Sequence, residues 1–118
     1  MSTLDDVEKH VMSSLILTIE TNELAKSING YKFSLSNIEM NALLARNDEI
    51  LNASKKLINE CSALMASLYK CAKLVSEYSK NTYITNYEFN EAYNMINDIR
   101  NKRNQILPNI RALEMSII

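Results

Sequence analysis

SNIEMNALLARNDEILNASKKLINECSALMASLYKCAKLVSEYS, residues Ser36–Ser79, runs without a Gly or a Pro. Its apolar residues fall at alternating spacings of three and four: Met40, Leu43, Ile50, Leu57, Cys61, Leu64, Leu68, Cys71, Val75 and Tyr78. A second row, Leu44, Leu51, Ile58, Met65 and Ala72, repeats every seventh residue beside the first. This is the pattern of a helix buried against other helices. At 1.5 Å per residue the stretch predicts a rod of roughly 65 Å. Two seam positions, Asn47 and Ser54, are polar. They either fix register or meet water on a half-covered face, the second being the plainer reading.

Upstream, Ser36-x-x-Glu39 reads as a capping box, with Leu35 before it and Met40 on the first turn as a near-staple. Tyr31-Lys32-Phe33-Ser34-Leu35 alternates apolar and polar and reads as an extended connector. Asn29-Gly30, with the chain's only Gly, reads as a helix stop, because a left-handed C′ position favours Gly. A first helix is therefore predicted over about 4–28, capped by Ser2 or Thr3. Its apolar face is Leu4, Val7, Val11, Met12, Leu15, Ile16 and Ile19. That stripe fails at Glu20-Thr21-Asn22-Glu23 and resumes, shifted, at Leu24, Ala25 and Ile28. The shift predicts a kink or a fresh start near Thr21 and Asn22.

Downstream, Lys80–Ile84 reads as a turn, and Thr85-x-x-Glu88 as a capping box that opens a third helix over about 86–117. Its seam is Phe89, Ala92, Ile96, Ile99, Arg103, Ile106, Ile110, Leu113 and Ile117. Pro108 removes one backbone bond and crowds the preceding turn, so a kink is expected there rather than a stop. The short turn makes the second and third helices antiparallel. That register predicts a Glu60–Arg103 ion pair.

The composition agrees with an all-α, single-domain bundle of three helices: a long central one (about 36–79), an N-terminal one (about 4–28) and a Pro-kinked C-terminal one. Among 118 residues there is one Gly, one Pro and no Trp, too few turn residues for sheets. Apolar residues make up 47% and charged residues 23%, which argues against disorder. Asp5 and Asp6 stand where a signal peptide would carry positive charge, and apolar runs such as Leu15-Ile16-Leu17 are far short of a membrane span. Cys61 and Cys71 lie too far apart on one helix to pair, so two reduced, buried thiols in a cytoplasmic protein are expected.

The chemistry-bearing residues are sparse. His10 is the only histidine, lies off the apolar stripe and reads as solvated. With one His, two separated Cys and one Gly, the chain offers no zinc or di-iron set, no nucleophile–base pair and no phosphate loop. The expectation is a non-enzymatic protein with no cofactor, no metal and no small-molecule substrate. Its partners are then another protein or a second copy of itself, in a role such as adaptor, assembly subunit, chaperone or stoichiometric inhibitor. Candidate contact residues are the second row (Leu44, Leu51, Ile58, Met65), a tyrosine-rich tip (Tyr78, Tyr83, Tyr87), and Arg100 and Lys102. Arg100, Lys102, Arg103 and Arg111, with Lys55 and Lys56 nearby, carry the alternative of a nucleic-acid-binding or transcription-modulating protein. A net charge of −1 argues against that alternative.

Overall fold

The computed structural model describes residues 4–80 and 84–117. Ser2, Thr3, Tyr83 and Ile118 lie outside the described residues, as do the side chains of Leu4 and Ile117. Three helices, α1 (Leu4–Leu44), α2 (Asp48–Ser79) and α3 (Asn86–Ile117), account for nearly all of it. They form an up-down-up bundle of 66 × 19 × 17 Å in which each helix packs against both others. A 41-residue helix at 1.5 Å per residue is about 61 Å long, so α1 alone spans the molecule.

All-α, with three helices, is what the sequence indicates; the position of the first turn is not. The helix does not stop at Asn29-Gly30, Tyr31–Leu35 is not a connector, and Ser36 caps nothing, because α1 runs unbroken to Leu44. Gly30 has a helical, not positive, φ, and nothing lies within 4 Å of where its Cβ would be. The residues read as alternating continue a helical phase instead: Ile28, Tyr31, Leu35, Ile38 and Ala42 step by three and four, and four of the five are buried.

The turn falls at Ala45–Asn47, and its left-handed residue is Arg46 (φ 55°) rather than a glycine. Asn47 N–H donates to the Ala42 carbonyl at 2.9 Å and Arg46 N–H to that of Leu43 at 3.2 Å. These two bonds close α1 in a Schellman arrangement. Asn47 then opens α2, its extended backbone letting its side-chain oxygen accept from Ile50 N–H at 3.2 Å. Asn47 is therefore a cap, not a polar seam residue. Asn47 is exposed, whereas Ser54 does not meet water: it is fully buried, and its hydroxyl donates to the Leu51 carbonyl at 2.9 Å.

From Leu57 onward the seam of α2 is as read. Leu57, Cys61, Leu64, Leu68, Cys71 and Val75 are buried against Leu17, Leu24, Ile28 and Leu35 of α1 and Ala92, Ile96, Ile99, Ile106 and Ile110 of α3. The Thr85 capping box forms as expected: Thr85 N–H donates to the Glu88 carboxylate, and Glu88 N–H to the Thr85 hydroxyl, each at 3.1 Å. Helix α3 continues through Pro108 to Ile117. The expected Glu60–Arg103 pair is absent, because the Arg103 guanidinium donates to its neighbour Asn104 instead, at 2.9 and 3.2 Å.

Candidate protein-interaction surface

The phase of α1 is set where it is most deeply packed. Leu17, Leu24, Ile28 and Leu35 are each at most 1% exposed, and Ile38 and Ala42 continue the same line. At about 100° per residue with no break, that phase extends back through the first turns of the helix. It points His10, Ser13 and Ser14, all half-buried, toward α2 and α3. Leu15 and Ile19 then lie about 160° away from Leu17, on the opposite side.

The apolar stripe of the first helix therefore faces outward, contrary to its expected place in the core. Val7, Val11, Met12, Leu15, Ile16 and Ile19 are 39–57% exposed. The phase shift at Glu20–Glu23 is real, but the chain resolves it without a fresh start. Thr21 is buried inside continuous helix, its hydroxyl donating to the Leu17 carbonyl. One straight helix cannot bury both stripes, and the longer one, running from Leu17 to Ala42, determines the orientation.

The same outward side carries a second apolar group at the other end of α1. Phe33, Met40, Leu43 and Leu44 are 59–76% exposed. Leu15, Phe33, Met40 and Leu44 project within about 40° of one another around the helix. Between the two groups, Asn22, Lys26 and Asn29 are exposed and polar. Two clefts flank the N-terminal group. One, of about 600 Å³, is lined by Met12 and Ile16 of α1 with Ile84 and Phe89 before and in α3. The other, of about 370 Å³, lies between α1 and Ser79 of α2. His10 lines the second; it is half-buried rather than solvated, and its Nδ1 is shielded with no hydrogen-bond partner among the described residues.

The residues singled out from the sequence are dispersed. Leu44 is 76% exposed and belongs to the outward side of α1. Leu51, Ile58 and Met65 are half-buried, the last two packed against the core, because α1 covers more of α2 than a helix ending at Ile28 could. Tyr78 also packs on the core, and its hydroxyl donates to the Glu91 carboxylate at 3.0 Å. Burial, reinforced by that bond, pushes its pKa up to about 12. Tyr87 is 77% exposed, Tyr83 lies outside the described residues, and Phe89 stacks on Tyr93 at 5.7 Å. Arg100 pairs with Glu20 and donates to Asn97 at 2.7 Å, while Lys102 pairs with Asp98 at 3.2 Å. Two cations of the supposed basic patch are thus occupied by carboxylates of this chain.

Cys61 and Cys71 are free and buried. Burial raises both thiol pKa values, with Glu60 adding to the effect at Cys61. Among the described residues, no three His, Cys, Asp or Glu side chains gather as a metal site, and no helix is long and apolar enough to cross a membrane.

The fold and this surface define an elongated up-down-up three-helix bundle with an apolar side on its longest helix. No protein-family model matches the chain, and comparison with curated proteins and with solved structures finds no similar one.

Proposed function

We propose that this chain is a non-enzymatic protein-interaction module whose contact surface is the outward side of α1. The observation that carries this reading is the inverted amphipathicity of the first turns: Val7, Val11, Leu15 and Ile19 face out while His10, Ser13 and Ser14 face in. Contiguous apolar exposure of this kind marks a partner site in folded proteins. A helix laid along such a row would bury it in steps of three and four residues.

The experiment is a double charge substitution, Val11→Glu with Leu15→Glu. Helicity should hold close to the parent, since both positions are at the surface, and association should be lost, with any fall in thermal midpoint limited to the stabilisation that association supplied. A variant that unfolds would place these residues in the core and end the proposal. The nucleic-acid reading is less well supported, since Arg100 and Lys102 are already paired. The two readings separate by salt: apolar docking should be nearly insensitive to it, whereas phosphate contacts weaken steeply.

A further inference from the structure

We infer that the outward side of α1 is closed by a second copy of the same chain, with the two α1 helices antiparallel about a two-fold axis near Ala25 and Lys26. This rests on the reading of that side as a contact surface and adds the identity of the occupant.

The register of the apolar groups favours this pairing. The two apolar groups on α1 lie at equal distances from residues 25–26. An antiparallel copy centred there sets Val7 opposite Leu44 and Val11 opposite Met40, and brings Phe33 within one residue of the position opposite Ile19, each pair occurring twice. All six side chains are exposed, by 43–76%. The two-fold makes one helix side complementary to itself.

Side-chain size favours it as well. The N-terminal group supplies β-branched Val7, Val11 and Ile19, and the C-terminal group supplies the longer or broader Leu44, Met40 and Phe33. Antiparallel pairing sets smaller residues against larger ones, which is how facing layers interdigitate. A parallel pair would instead stack valine on valine at one end and phenylalanine on phenylalanine further along.

Charge does so too. In the antiparallel pair each exposed Lys26 lies within a helical turn of Glu23 in the other copy, so the polar centre can form two reciprocal ion pairs. Polar residues at the centre of a helix seam fix register and orientation. Sliding the copies by one turn in one direction would set Phe33 on Asn22 and carry Val7 past the end of α1 at Leu44.

The ten large apolar residues at the two ends of this side are 39–76% exposed, an extent suited to the roughly 800 Å² per partner of a stable interface.

The test uses single-cysteine substitutions in the full chain, the native thiols being buried. Lys26→Cys should oxidise to a disulfide-linked dimer. Val11→Cys and Met40→Cys should each stay unlinked alone and link to one another when mixed. Leu15→Glu, entering the interface twice, should weaken the dimer at least ~100-fold. Linkage of Val11→Cys to itself would overturn the antiparallel arrangement. So would a parent protein that keeps the mass of one chain to millimolar concentration, or a dimer that survives Leu15→Glu. A monomeric parent whose Val11→Glu, Leu15→Glu variant stays folded would refute only the second copy, leaving the surface for a different protein. An unfolded double variant would remove both readings.

Discussion

Replacing Gly30 by Ala should stabilise this protein, and the sign of the effect separates the continuous α1 from a chain that turns at Gly30. In the structure Gly30 is an interior helical residue with room around its missing Cβ, so Ala meets no clash. Glycine inside a helix is about 0.8–1.0 kcal/mol less favourable than alanine, in large part because it leaves the unfolded chain more freedom to lose. Unfolding entropy near 2.1 cal/mol/K per residue gives about 250 cal/mol/K for a chain of this length, so the midpoint should rise by roughly 3–4 °C. If Gly30 were instead a left-handed helix terminus, Ala would strain the backbone and lower the midpoint by a similar amount. The assay is thermal unfolding followed by far-ultraviolet circular dichroism, with both proteins carrying Leu15→Glu so that self-association does not enter. A lowered midpoint, or a loss of helical signal in the folded baseline, would refute the continuous helix.

Other expectations follow from the same geometry. Arg46→Val should cost about 1–2 kcal/mol, since a β-branched residue fits the left-handed position badly, and Asn47→Ala about 1 kcal/mol through the lost cap; urea unfolding would measure both. Leu24→Ala should cost about 2–5 kcal/mol, whereas Leu15→Ala in dilute protein should stay within roughly 0.5 kcal/mol, although the two residues belong to apolar stripes of the same helix. The Cys61 and Cys71 thiols should react with an aromatic disulfide reagent only as fast as the bundle opens, because burial keeps them protonated; rapid reaction of the folded protein would contradict their placement. Tyr78 has a folded pKa of about 12, above its ordinary value of 10. Its contacts therefore contribute fully below pH 10 and are lost as the pH rises toward 12. Tyr78→Phe should flatten the stability profile in that window.

The sequence carried the helical class, the seam of α2 from Leu57 to Val75 and the capping box at Thr85, because each is encoded by local spacing that tertiary packing reinforces. It misplaced the first turn because the two usual signals were exchanged. The only Gly sits in mid-helix, where its cost is tolerated by packing on both sides, at Ile28 and Tyr31. The left-handed position falls on Arg46, a residue that gives no such signal. Ser36-x-x-Glu39 has the pattern of a capping box but lies between buried Leu35 and Ile38, whose packing keeps the backbone helical. The proposed contact surface is legible only indirectly. The residues of the N-terminal stripe and the phase shift at Glu20–Glu23 can both be read from the chain. Which of two competing stripes enters the core depends on the length of α1, and so on the location of the turn. Once the helix extends to Leu44, the inward line of six buried residues outweighs the six at the start. Leu43 and Met40, read as seam residues of the central helix, become part of the outer side of α1 for the same reason.

The most direct test of the account is solution mass, measured by light scattering with helicity on the same sample, for the parent and Leu15→Glu across a concentration series. A two-fold dimer built on α1 gives a highly helical parent at twice the 13.5 kDa chain mass, and an equally helical Leu15→Glu at the mass of one chain. A parent that is monomeric at every concentration, or a Leu15→Glu protein that loses its helicity, would contradict it.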